Sequence, residues 1–298
     1  MIRRLLLSYF EYHPPNKKWK YEKQPSPPNF GANTLIPNWH LNLSVWLRRS
    51  RCERIIREIQ NTNELIPGKI TMVVLSCKRF TELQRLITSM NSFFSGVENY
   101  SLFEKILVDN GSEPELVKYA KESKFFDQII AHPKNLGMAR ALNDIYSKVD
   151  SEFIMLVEDD FILDYAKPFL QNCVSIMNEF PEIGIIRLKN SNNWWKPVRR
   201  ISNLRNSHNG TNFWTWLPSR DKTTNVWCCG STLFRKVSFL HTGLLPVGEG
   251  RNQAVLVEDV YGKHYNRTWL AAKIENCYPF LQPNDNAESP GFKDKVLA

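Results

Sequence analysis

SEFIMLVEDD (151–160) sets an apolar run, Phe153 to Val157, directly against three acids, Glu158, Asp159 and Asp160. A short continuous apolar run of this kind predicts a strand buried on both faces. The carboxylates at its exit repel one another, and each raises the pKa of its neighbours. A divalent cation removes that cost, and carboxylate oxygens suit Mg2+ or Mn2+. The competing reading of the triplet alone is a solvated acidic turn.

Three more strands stand before it: KITMVVLSC (69–77), FEKILVDNGS (103–112) and FDQIIAHP (126–133). Helices over 80–95, 113–123 and 137–148 separate them; Leu83, Leu86, Ile87, Met90 and Phe93 recur at helical spacing in the first. Strict alternation of strand and helix predicts an α/β fold, a Rossmann-like, mostly parallel sheet with helices on both faces. Ligands then bind at the carboxyl ends of the strands. Further on, the pattern predicts a helix over 164–180, a strand over 182–190 and a polar, Trp-rich stretch over 191–225 without periodicity. It then predicts a strand and turn entering a short helix over 225–236, a helix over 255–269 and a last strand over 273–282.

The organisation expected is a basic N-terminal extension, 1–67, followed by one domain, 68–298, divided near 165. The extension has an irregular Pro-rich part (13–39) and an amphipathic helix (40–60) with a basic face. That helix reads either as packed on the domain or as a peripheral membrane or partner contact through residues 1–60. The chain carries a net charge of +9, which favours phosphate-bearing or anionic partners. No apolar window spans a bilayer and no signal peptide is visible. The six cysteines form no CxxC pair, which argues against a zinc site, and they read as reduced thiols. Of the five N-glycosylation sequons, the one at Asn110 falls among the strand ends, where a glycan would not be tolerated. The expected location is cytoplasmic.

Every other strand end is polar too: Ser76-Cys77-Lys78-Arg79, Asp109-Asn110-Gly111-Ser112, and His132 through Gly137 followed by Arg140 and Asn143. An Asp-Asn pair can hydrogen-bond a nucleobase or ribose, Lys78, Arg79 and Arg140 can meet phosphates, and Gly137 opens a helix whose amides favour anions.

The order SxxR, VDNGS, NLGxxxAxN and an apolar strand into an acidic triplet resembles the GT-A fold, and most closely the family 2 glycosyltransferases. The likeness covers 69–165 well, 225–282 loosely and 1–67 not at all. It implies a nucleotide-sugar donor held by Ser76, Arg79, Asp109, Asn110, Asn135, Gly137, Arg140, Asn143, Glu158 and Asp159. It implies a metal, Mn2+ or Mg2+, on Asp160 with Glu158, although ExD stands here where the family has DxD. The pair Glu258-Asp259 matches the family's acceptor-side ED, making Asp259 the expected base of an inverting transfer and Glu258 its support. A UDP-sugar is the expected donor, with a glycan, glycolipid or protein as acceptor and no nucleic acid. Acceptor contacts are expected from the stacking indoles Trp194, Trp195 and Trp227 and from the turn at Gly230 and Ser231. His264 is a further candidate ligand. Three other readings are a sugar-nucleotide nucleotidyltransferase, disfavoured by SCKRF where a Gly-rich loop belongs, a non-catalytic basic binding module, which leaves the triplet unexplained, and a GT-A fold that has lost catalysis, which ExD in place of DxD permits.

Overall fold

The computed structural model describes residues 38–189, 202–216, 230–247 and 256–281. A helix, α1 (Asn38–Gln60), precedes four parallel strands, β1 (Ile66–Ser76), β2 (Phe103–Asn110), β3 (Gln128–His132) and β4 (Ser151–Glu158). The helices between them are α2 (Phe80–Gly96), α3 (Pro114–Glu122) and α4 (Met138–Lys148). Then come β5 (Ile162–Leu163), α5 (Leu170–Glu179), β6 (Ile183–Arg187), β7 (Ser202–Asn206), β8 (Asn212–Trp216), β9 (Thr232–Arg235) and α6 (Lys236–Thr242). A π-helical turn (Leu256–Tyr261) runs into α7 (Gly262–Tyr265), before β10 (Leu270–Ile274) and β11 (Phe280–Leu281).

Nine strands form one sheet in the order β3-β2-β1-β4-β9-β6-β10-β8-β7. Only β9 and β8 run against the rest, since β9 is antiparallel to both β4 and β6, and β8 to both β10 and β7. Alternation along each strand feeds two cores. Ile70, Met72 and Val74 of β1 join the core under α2, α3 and α5, whereas Val73 joins the core under α1, α4, α6 and α7. In α2 the five apolar positions read from the sequence are all buried, each worth about 1.5–3 kcal/mol. The expected mostly parallel α/β sheet with helices on both faces is the fold observed.

Several expectations shift for local reasons. The helix expected from 164 begins at Leu170, because Pro168 disfavours helix before it and the carboxylate of Glu98 accepts the N–H groups of Phe169 and Leu170. The polar stretch 191–225 contains the hairpin β7–β8, turned at Asn209-Gly210 with Gly210 at φ 81°. Asn-Gly was a readable hairpin signal. The last expected strand is two, separated by a turn in which Asn276 takes φ 56°. The helix expected over 255–269 is the π-helical turn plus α7, and it stops at Tyr265. Helix α1 packs on the sheet through Cys52 and Ile55, and its Arg48 donates to the Asn266 carbonyl, while Trp46 and Leu47 stay exposed. No helix among the described residues is long and apolar enough to cross a membrane.

Candidate active site

The carboxyl ends of β1, β2, β3 and β4 meet on one rim and are tied to one another by side chains. From β4, Asp159 turns back toward β1. Its Oδ2 accepts from Ser76 Oγ at 2.8 Å and from the Cys77 N–H at 3.3 Å, and its Oδ1 from Arg79 Nη1 at 3.0 Å. Between β1 and β2, the Lys78 N–H donates to Ser112 Oγ at 2.8 Å, and the Cys77 thiol to the Asn110 carbonyl. Lys78 reaches this bond at φ 57°, a strained setting for a side-chain-bearing residue. Between β2 and β3, Asn110 Nδ2 donates to Asn135 Oδ1 at 2.9 Å and Asn110 Oδ1 accepts from the Leu136 N–H at 2.8 Å. The Gly137 N–H also reaches Asn135 Oδ1. Gly111, at φ 82°, lets the two loops cross: a Cβ there would lie 2.4 Å from Asn135 N and 2.5 Å from the Lys134 carbonyl carbon.

This network sorts the expected donor residues. The polar atoms of Ser76, Asn110 and Asp159 are engaged within the protein, and Asn110 is buried, leaving no room for a glycan on its sequon. Asp109 is buried as well; its Oδ2 accepts from the Ser112 N–H, while its Oδ1 has no hydrogen-bond partner among the described residues. It lines a cleft of ≈ 830 Å³ together with His132. Arg140 is exposed, as is Asn135. Asn143 faces the other way: its amide donates to the Leu245 carbonyl at 2.9 Å and accepts the Leu245 N–H at 2.8 Å, fastening α4 to the chain after α6.

The remaining two acids of the triplet are only partly buried. Arg79 Nη1 stands 3.1 Å from Asp160 Oδ2, so one guanidinium bridges Asp159 and Asp160. Burial, foremost, and Asp160 push the Glu158 carboxyl up to about 8, with Asp159 and Glu258 adding and Lys189 opposing. The charges of Lys189 and Glu258 thus both act on Glu158, although the three come from the end of β6, the π-helical turn and β4. Burial pushes Asp159 up to about 6 against the pull of Arg79 and Ser76. Lys189 is a component that sequence reasoning missed. It ends the strand expected over 182–190, and its only signal is that every other strand end on this rim is polar.

Among the described residues no three His, Cys, Asp or Glu side chains converge as a ready-made metal cage. Two carboxylates at an open rim still fit a hard cation that takes its other ligands from phosphate and water. Of the acceptor-side expectations, Gly230 and Ser231 are buried beside β9, where the Ser231 carbonyl accepts from Leu188. His264 lies in α7. Trp194, Trp195 and Trp227 lie outside the described residues, as does the side chain of Asp259, whose backbone is in the π-helical turn. Four of the six cysteines lie among the described residues, Cys52, Cys77, Cys173 and Cys277, and all four are free thiols.

This architecture is shared with solved glycosyltransferase structures. TarS of S. aureus superposes with a TM-score of 0.52 at 13% identity, over 72% of this chain and 36% of TarS, so the chain spans about a third of that protein. The mannosyltransferase PcManGT of Pyrobaculum calidifontis, solved with GDP-Man and Mn2+, gives 0.52 at 13% identity over 83% of this chain and 68% of its own. A TarS fragment, 1–349, solved with UDP-GlcNAc, gives 0.51 at 14% identity, over 74% of this chain and 60% of the fragment. No curated protein matches. The profile described as Glycosyl transferase family 2 matches residues 71–239, more than half of the chain. With a mostly parallel sheet of the GT-A kind and this match, the chain belongs to glycosyl transferase family 2.

Proposed function

We propose that the protein moves a sugar from a nucleoside-diphosphate sugar to an acceptor hydroxyl, with inversion, and that the nucleotide is UDP. The observation that carries this reading is the acidic rim: Glu158 and Asp160 stand partly buried where β4 ends, while Asp159 is turned away to hold the neighbouring loop. Glu158 and Asp160 would hold Mn2+ or Mg2+. Once bound, that ion would offset the charge that develops on the diphosphate as the glycosidic bond breaks.

The chain's own residues supply the rest. Asp109 Oδ1, a buried acceptor lacking a partner among the described residues, suits a ring N–H of the donor's base. Uracil and guanine both present one; UDP is chosen with the TarS fragment's UDP-GlcNAc complex in mind, and PcManGT's GDP-Man is the alternative. Ser76, Asn110 and Asp159 serve the donor indirectly, by fixing the loops around it. Asn135, Gly137 and Arg140 line the approach to its ribose and phosphates. Asp259 takes the proton from the attacking hydroxyl, and Glu258 supports it. Trp194, Trp195 and Trp227 receive the acceptor, a glycan, glycolipid or protein, and the buried Gly230 and Ser231 shape the turn beneath it. Exposed Trp46 and Leu47 beside Arg51 and Arg54 support a peripheral membrane contact along α1.

Metal-dependent uptake tests the reading. UDP or a UDP-sugar should bind the full chain in Mn2+ and be lost on chelation. Asp160→Ala should lower hydrolysis of the bound donor about 100-fold or more. Equal binding with and without metal would sink it.

A further inference from the structure

The edge of the sheet opposite the acidic rim carries a second cleft, of ≈ 430 Å³. Helix α1 borders it with one face, on which Glu53, Arg57 and Gln60 recur at i, i+4 and i+7. Asn178 borders it from α5, Glu152 from the start of β4 and Arg235 from the end of β9. Glu152 and Glu158 lie near opposite ends of β4, so the cleft is roughly 20 Å from the rim along that strand.

Both acids of the cleft already have a cation. Glu152 Oε1 accepts from Arg235 Nη1 at 3.0 Å, and its Oε2 accepts the Gly68 N–H at 2.9 Å. Glu53 Oε1 accepts from Arg49 Nε at 3.1 Å. Arg57 has no such partner: among the described residues its exposed guanidinium makes no ion pair and no hydrogen bond. One positive charge is therefore left over. Arg235 is 3% exposed; its Nη1 goes to Glu152 and its Nη2 to the Met177 carbonyl, while its Nε has no partner among the described residues. A buried N–H without an acceptor is costly. The exposed amides of Gln60 and Asn178 add further donors. Unengaged donors from α1, α5 and β9, with one excess positive charge, match an oxyanion. A volume within the ~300–1,000 Å³ of small-molecule sites leaves room for the carbon part of an organic anion against Ile56 and Pro181.

We propose that this cleft binds a small, singly charged organic anion, a carboxylate or a phosphodiester, through Arg57, Gln60, Asn178 and the Nε of Arg235. The site is separate from the one for donor and metal, and it does not depend on the glycosyltransferase reading above. It supplies an acceptor to the buried Arg235 nitrogen and a counter-charge to Arg57.

The test titrates butyrate, diethyl phosphate and butanol into the full chain and follows the Arg235 Nε–H signal by NMR. Butyrate or diethyl phosphate should move that signal to saturation and butanol should not; the tighter of the two anions tells carboxylate from phosphodiester. Arg57→Gln and Asn178→Ala change exposed helix positions, which folding tolerates. They should weaken the binding about ten-fold and about three-fold, respectively. Repeating the titration with UDP and Mn2+ present should give the same affinity. Binding that ignores both substitutions, that leaves the Arg235 signal unmoved, that butanol matches, or that UDP with Mn2+ competes away would overturn the proposal. If UDP fails to bind with Mn2+ while Arg57 and Asn178 still govern anion binding, the donor reading falls and this site stands.

Discussion

The first half of the sheet, β3-β2-β1-β4, and the second, β9-β6-β10-β8-β7, reach one rim by different means. In the first, every strand is parallel to its neighbour, and consecutive loops fall side by side. The loops then bond directly: Asp159 to Ser76 and Arg79, Lys78 to Ser112, Asn110 to Asn135. In the second, two strands reverse, and groups that meet come from segments far apart, such as Arg187 with Lys273, or Lys189 and Glu258, which both act on Glu158 of the first half. Regular crossovers make a rigid local scaffold. Reversals let distant charges converge.

One glycine in each half sharpens this contrast, and these substitutions should have the largest effects. Gly111→Ala sets a Cβ at positive φ against backbone that cannot yield, whereas Gly184→Ala meets the Tyr265 hydroxyl at 2.3 Å and Trp269 Cβ at 2.8 Å. Chemical denaturation should show a loss of about 3 kcal/mol for each. Only Gly111→Ala should also weaken nucleotide binding, because only it pries apart two donor loops. Equal effects on nucleotide affinity would remove the distinction.

Asn143→Ala cuts the fastening between the halves. It removes two hydrogen bonds to the Leu245 backbone and should cost about 2 kcal/mol. If Asn143 positions the acceptor side, transfer should slow more than donor hydrolysis does. A parallel loss of donor affinity would instead return Asn143 to the donor.

The smallest expected effect is the pH response of Glu158. Its folded pKa, about 8, lies above the ordinary carboxylate value near ~4.3. The folded state therefore holds the extra proton. Metal-free stability is fully present at acid pH and declines as pH rises through about 8. Glu158→Gln should flatten that slope and raise the metal-free unfolding free energy at pH ~8 by on the order of 1 kcal/mol, read by chemical denaturation. Mn2+ should stabilise the wild type more at that pH than near pH ~6. A slope that survives the substitution would move the effect to another group.

The four parallel strands and the acidic triplet were legible because each is local: a buried strand shows as a continuous apolar run, and its exit as an abrupt polar change. The hairpin β7–β8 was missed although Asn209-Gly210 marked it, because the flanking SNLRN and NFWTW lack a clean alternation. Which acids of the triplet face outward could not be read at all. Adjacent residues on a strand point to opposite faces, but the partner that captures Asp159 is 83 positions away in sequence.

The amino-acid sequence by itself determined the sheet, its helices and the rim where chemistry collects, because periodicity and strand ends are properties of neighbouring residues. Only the tertiary structure decided that Ser76 binds Asp159 and Asn110 binds Asn135, that Asn143 fastens the chain after α6, and that Arg187 sits beside Lys273. Those pairings depend on strand order and register, which bring together side chains that no spacing along the chain relates.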